Sequence, residues 1–410
     1  MRCAALLMVA LAGSLSADVE KQTGPVAKEI GLSQKAPQSD REQQIADLNA
    51  RAVERGKAGD YEGAAAALEQ ARRLSAPPAA VRSGLYAQVL ANLAETYEEL
   101  SQWERAVALL RDAAAEDERA FGPADLRTAR ISVRLGSALV VTGRIDEARP
   151  PLERAVSVLR ADQAAPRFEL ARALAAIALL NLNLNRPADA EQPAQEAVRL
   201  AAAENVENPD YASMLGLLGA VYVVEGNGAR ALPLLTRSID MVERTLSPRH
   251  PRIAPMLIER GLVEASDRRF ALAEQDMRRA IDLLERSGHG TNGDWARYRL
   301  ARIYMDQRKL AEADEILPAA VERQRNLAGV NPQLPYFIRQ LAELRQLQKR
   351  YDEAGALYRE AIALVRQTSS PAGADQRETA SLNDNRPTRE KDVRRLAQRA
   401  SEIFGDRSAQ

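Results

Sequence analysis

The sequence predicts an all-α fold: an α-α superhelical solenoid of about eight helix-turn-helix repeats, followed by one extra C-terminal helix. Three observations predict it. Small residues recur at fixed offsets, with a period of 40 to 42 residues, between Ala52 and Ala361. Apolar residues three and four apart draw one-sided helical stripes, as in Leu90, Leu93, Ala94 and Tyr97, then Ala106, Leu109, Leu110 and Ala113. Aromatic residues make up only 4% of the chain while alanine is abundant, which suits close-packed helices better than strands. One helix of such a pair cannot bury its stripe alone. Folded back on its partner it can, and stacked pairs then share a continuous core.

The first segment, residues 1–17, has the layout of a secretory signal peptide. Arg2 supplies the positive charge, Cys3 to Leu11 is an uncharged Leu/Ala-rich run, and small residues follow at Gly13, Ser14, Ser16 and Ala17. The expected cleavage is after Ser16 or Ala17. The apolar run is short for a membrane span, although an uncleaved anchor is the alternative. Cys3 stands at the front of that run and so does not fit a lipidation cysteine. The expectation is export across a bacterial inner membrane, to the periplasm or beyond. Cys3 is the one cysteine, so a cleaved chain would have no disulfide, thiolate or zinc–cysteine site. Residues 18–44, broken by Gly24, Pro25, Gly31 and Pro37, read as a flexible polar spacer, with regular structure expected from Ile45.

Residues 45–367 carry the repeats. Each second helix opens on an alanine: Ala64, Ala106, Ala148, Ala190, Ala231, Ala273, Ala313 and Ala354. Seven residues later stands Ala or Ser238, and twelve residues earlier stands Ala or Gly. Small residues at three fixed offsets mean that helix backbones approach closely there. Large positions agree, with Leu68, Leu110, Leu152, Leu235, Met277, Leu317 and Tyr358 four residues after the marker alanine. Arg51 and Arg260 depart from the apolar pattern of the first helices. Short turns such as Gly143–Arg144 and Gly226–Asn227–Gly228 use Gly and Asn for the left-handed conformation that ends a helix. This small–large–small register, with Tyr97 and Tyr222 on first helices, resembles the tetratricopeptide repeat family. The period exceeds the family's usual 34 residues, and the excess lies in Gly/Pro/His-bearing connectors such as Ser247–Pro248–Arg249–His250–Pro251. That variant resembles the kinesin-light-chain-like subclass.

Residues 368–387, rich in Ser, Gly, Asp, Asn and Thr, read as disordered linker. An amphipathic helix is expected over 388–404, with Val393, Leu396, Ala397, Ala400, Ile403 and Phe404 on one side. It either caps the last repeat or docks elsewhere on its tether.

The composition argues against several functions. Basic and acidic residues number 57 each, so no global field recruits nucleic acid or anionic lipid. His250 and His289 stand in separate connectors and read as solvated loop histidines, which makes neither a metal pair nor a catalytic dyad. Phosphate-loop, nucleophile-elbow and zinc-helix motifs do not occur. The chain is therefore expected to be neither an enzyme nor the holder of a cofactor or metal.

Function is expected from a surface. The resemblance implies that first helices line the concave side of the superhelix. With the marker alanine at place twenty, core residues fall at places four, seven, eight and eleven, so places two, five, nine and twelve point roughly 130° away. Repeat two reads Gln88, Ala91, Glu95 and Glu98 there. The next repeats turn apolar, at Val133 and Val140, Leu179 and Leu182, Ala220 and Val223, then Ile258 and Leu262. The last two are aromatic and basic, with Trp295, Tyr298, Arg302 and Met305, then Tyr336 and Arg339; Arg299 lies beside them. The apolar middle is either a groove awaiting a partner or packing between adjacent helices. As a groove it would take a peptide or protein segment, and Arg299, Arg302 and Arg339 would favour acidic or C-terminal carboxylate groups. The Lys and Asn that the family's carboxylate-clamp subclass uses at places five and nine are absent. The expected role is a non-catalytic protein-interaction scaffold. An accessory factor for an envelope or secretion complex and a self-associating structural protein are the alternatives.

Overall fold

The computed structural model describes residues 40–369, apart from 59, 77–83, 101, 163–164, 205–206, 287–289, 328–330 and 332, together with residue 398. The segments read from sequence as a signal peptide at 1–17, a spacer up to residue 39, a linker beyond 369 and a C-terminal helix at 388–404 lie outside the described residues, residue 398 excepted. Among the described residues there are sixteen helices and no strand.

The chain divides into two units, Met1–Pro248 and Arg249–Gln410. The first holds five hairpins: α1 (Asp40–Lys57) with α2 (Tyr61–Ser75), α3 (Leu85–Glu99) with α4 (Trp103–Phe121), α5 (Leu126–Val141) with α6 (Ile145–Ala161), α7 (Arg167–Asn183) with α8 (Pro187–Ala203), and α9 (Pro209–Val224) with α10 (Gly228–Thr245). The second holds three: α11 (Ile253–Ser266) with α12 (Phe270–Arg286), α13 (Gly290–Asp306) with α14 (Leu310–Arg325), and α15 (Leu334–Leu347) with α16 (Tyr351–Ser369). Helix α1 begins at Asp40 rather than Ile45, with Asp40 and Glu42 in its first turn, where carboxylates suit the helix dipole. Helix α16 runs to Ser369, two residues past the end expected from the period.

One turn closes every hairpin. A backbone N–H donates to the carbonyl five residues back, from Asp60 to Arg55 at 2.9 Å through Arg350 to Arg345 at 2.8 Å. This 6→1 bond satisfies a carbonyl that the helix end would otherwise orphan, and it needs a left-handed residue just before the donor. Gly143, Asn185 and Gly226 fill that place in the first unit, with φ of 76°, 57° and 75°. In the second unit Arg268, Arg308 and Lys349 fill it, with φ of 61° to 63°. The Gly and Asn expected from sequence cover the first unit and do not extend to the second. Three long cationic side chains carry the strain instead, because the hydrogen bond and the stacked repeats fix the turn geometry around them.

The small residues at three offsets are where the helices meet. A Cβ on Gly136 would lie 2.3 Å from Leu152 Cγ, and one on Gly219 would lie 2.8 Å from Leu235 Cδ2. Place eight is thus small because place twenty-four of the same hairpin is large and pushed against its backbone. Ala64, Ala106, Ala148, Ala190, Ala231, Ala273, Ala313 and Ala354 are all buried. The core is continuous between hairpins: Ala129 and Val133 of α5, Ala155 and Leu159 of α6 and Ala173 of α7 form one cluster. Arg260, the departure on α11, is held by two bonds of 2.7 Å to Asp276 of α12. Arg51 is exposed.

Candidate functional site

Within each unit the first helices touch their counterparts in the next hairpin, α5 to α7 and α7 to α9 in one, α11 to α13 and α13 to α15 in the other. The second helices of neighbouring hairpins make no comparable approach. Each unit therefore has an inner row of first helices, and the candidate site lies on that row.

The apolar middle of the expected groove is not an open surface. Val133, Val140, Leu179, Leu182, Ala220 and Ile258 are between 0 and 7% exposed, and Val223 and Leu262 are half-buried. Wheel arithmetic treats a first helix as packed only on its own second helix. The first helix of the next hairpin covers the far side as well, and Val133 of α5 shares one core cluster with Ala173 of α7. Leu179 is core, so an acid there would collapse the fold rather than a binding surface.

In the second unit the expected aromatic and basic residues come together. Trp295, Tyr298 and Phe337 form a triangle of rings with centroids 5.1 to 5.3 Å apart, in edge or tilted geometry. The Trp295 indole N–H donates to Gln333 Oε1 at 2.8 Å, and Gln340 Nε2 donates to the Tyr298 carbonyl at 2.8 Å. Arg302 is exposed, bonded to Glu343 at 3.0 Å and paired with Asp306 at 3.1 Å. Arg339 reaches the same Glu343 at 3.9 Å and lies over the Tyr336 ring. Tyr298, Arg299, Tyr336 and Arg339 are half-buried. Nearby on α11, Glu259 is 1% exposed and its Oε2 finds no hydrogen-bond partner. Burial pushes this carboxyl up to about 7, and Arg299 opposes the rise.

The first unit carries a charged lattice that a stripe read for apolarity passes over. Arg134 of α5 lies 3.6 Å from Glu95 and 3.5 Å from Glu98 of α3. Arg130, one turn earlier, lies 3.6 Å from Glu169 of α7, and Arg172 of α7 lies 3.9 Å from Asp210 of α9. Burial works against the Arg172 charge, and Asp210, Glu169, Glu95 and Glu98 together more than offset it, raising its pKa. Arg130 and Arg172 occupy place two of their repeats, on the stripe, while Arg134 stands at place six beside it.

His250 is not the solvated histidine expected. It is half-buried, its Nδ1 accepts the Arg252 N–H at 3.2 Å, and burial aided by Arg252 pushes the ring down to about 4. It is a neutral acceptor at the start of α11. His289 lies outside the described residues. Among the described residues no group of His, Cys, Asp and Glu could hold a metal ion, and no helix is long and apolar enough to cross a membrane.

Sequence profiles described as tetratricopeptide repeats match residues 85–161 and 210–286, then 295–333 and 338–372, together more than half of the chain. The chain belongs to the tetratricopeptide repeat family. The hairpins above are TPR hairpins, and the family makes the chain a protein-interaction scaffold on a fold that is typically non-catalytic. The apo form of RapI is similar in structure at 12% identity, with a TM-score of 0.52 over 68% of this chain and 97% of that one. That likeness is one of fold. A Rap protein complexed with Competence and Sporulation Factor is 16% identical, with a TM-score of 0.46 over 66% of this chain and 76% of that one. A putative kinesin light chain from Podosopora anserina is 17% identical, with a TM-score of 0.41 over 51% of this chain and 99% of that one. No curated protein matches the chain.

Proposed function

We propose that this TPR chain is a non-catalytic scaffold, exported to the periplasm or beyond, that holds a segment of another protein along the inner faces of its first helices. The observation that carries the reading is the concentration of charged and aromatic side chains there. In the second unit Arg299, Arg302 and Arg339 stand with two carboxylates, the exposed Asp306 and the half-buried Glu343, while burial raises the Glu259 carboxyl to about 7, so that it is largely neutral only below neutral pH. That surplus of guanidinium favours acidic side chains or a C-terminal carboxylate, which a planar donor fork binds through two bonds. Tyr298 and Tyr336 supply the adjoining apolar contact.

The test is capture of a partner from envelope extract by the full chain. Arg302→Glu combined with Arg339→Glu is expected to weaken capture about tenfold or more and to make the remainder less sensitive to salt, with the melting temperature within a few degrees of the parent. Undiminished capture with an intact melt would contradict the acidic-ligand reading.

A further inference from the structure

The eighth hairpin is the last of the described array, yet its outer face is not bare. Helix α13 lies between α11 and α15, whereas α15 has no further first helix beside it among the described residues. The earlier hairpins show which places reach across to a successor. Glu95 and Glu98, at places nine and twelve of α3, lie 3.6 and 3.5 Å from Arg134, at place six of α5. On α15 the stripe of places two, five, nine and twelve is Tyr336, Arg339, Glu343 and Gln346, and all four are half-buried. The Glu343 side chain keeps 14% of its surface, against 53% for Arg302 at the same place of α13. Tyr336, Arg339 and Glu343 each make a further hydrogen-bond, ring or electrostatic contact. By contrast α1, the terminal first helix of the first unit, exposes Gln43, Asp47, Ala50 and Glu54.

The second helix of that hairpin agrees. Ala71 and Leu74 of α2 pack with Leu85 and Val89 of the next first helix, α3. Their equivalents on α16, Ala361 and Leu364, are buried and half-buried although no described hairpin follows. Residues 388–404 carry what a ninth first helix needs. With Ala397 at place eight, Val393, Leu396 and Ala400 fall at places four, seven and eleven, the core places of a first helix. Arg395 then falls at place six, where Arg134 meets its two acids. Gln398, at place nine, is helical and exposed, as that place is on a last helix with no successor. Residues 370–387 are long enough to lead from the end of α16 back to the face.

We infer that residues 388–404 of the same chain are the occupant: they lie on α15 and α16 in the position of a ninth first helix, with Arg395 against Glu343. A terminal repeat would otherwise leave Leu364 and its neighbours to water. The cap stands with or without a bound partner. Where one is bound, the cap closes the inner row beyond Arg339.

Hydrogen exchange on the full chain tests this. Amides of 388–404 are expected to exchange about a hundredfold more slowly than an unstructured chain, at a rate independent of protein concentration. Leu396→Asp is expected to abolish that protection and to speed exchange in α15 about tenfold, with α3 unchanged. The deciding comparison is a cycle at the ion pair. Arg395→Ala is expected to speed exchange of 388–404 about threefold in the parent and to have no effect in a Glu343→Ala background. An equal effect of Arg395→Ala in both backgrounds overturns the inference. So does an absence of protection over 388–404, or its loss in Leu396→Asp with α15 unchanged, which would place the segment elsewhere. Protection that grows with protein concentration would make a second copy of the chain the occupant and overturn it as well.

Discussion

Asp294→Ala is expected to lower the melting temperature of the chain by about 10 °C, the shift that a loss of about 4 kcal/mol produces in a domain of this size. Asp294 of α13 is 0% exposed. Its Oδ1 accepts from Arg323 Nε at 2.8 Å and Arg297 at 3.3 Å, and its Oδ2 accepts from Gln324 at 3.1 Å. The chain of bonds continues outward. Asn331 donates to the Gln324 carbonyl at 2.9 Å and accepts from the Gln333 N–H at 3.0 Å, and Gln333 receives the Trp295 indole N–H. Alanine at 294 leaves the largely buried Arg297 short of an acceptor and removes the first link to Trp295. Tryptophan fluorescence should therefore shift to the red before the helical signal is lost, because Trp295 is one of only two tryptophans. A melt within about 2 °C of the parent would show that the network adds little.

Glu259→Gln is expected to do the reverse, and only at higher pH. The folded-state carboxyl titrates at about 7 against an ordinary 4.5, so the folded protein binds the proton more tightly than the unfolded chain does. The stability this contributes is fully present below 4.5 and is lost as pH rises through 7. Glutamine removes the loss. At pH 8 the variant should be more stable than the parent by about 3 kcal/mol, and at pH 4.5 the two should nearly coincide. Asp117, pushed up to about 6 by burial with Arg127 opposing, tilts the parent in the same direction and is unaffected by the substitution. Urea midpoints at the two pH values read the difference. An equal gap at both would mean that Glu259 is not held protonated by its surroundings.

The fold was legible because each repeat obeys the same packing constraint. Gly136 lies against Leu152 and Gly219 against Leu235, so a small residue twelve before the marker alanine is a direct record of backbone approach. Turn residues were legible where Gly143 and Gly226 stand, and hidden where Arg268, Arg308 and Lys349 adopt the same conformation. The inner face was read less well, for a geometric reason. A helical wheel knows one neighbour, whereas Val133 and Leu179 each lie on first helices with neighbours on two sides. Of the apolar residues on that stripe, Val133, Val140, Leu179, Leu182, Ala220 and Ile258 are buried, while Val223 and Leu262 keep part of their surface. The informative residues of that stripe were charged: Arg130 and Arg172 at place two, whose partners Glu169 and Asp210 stand in neighbouring first helices or just ahead of the wheel's window.

The claim that a partner lies along the first helices is tested most directly by photocrosslinking in envelope extract. A photoreactive residue would replace Glu95 of α3 or Arg302 of α13 on the inner rows, and Arg154 of α6 or Arg199 of α8 on second helices. All four positions have accessible side chains, so reach is not what separates them. The account predicts that positions 95 and 302 give the same discrete protein adduct and that 154 and 199 do not. An adduct confined to 154 and 199 would place the partner on the outer surface and contradict it.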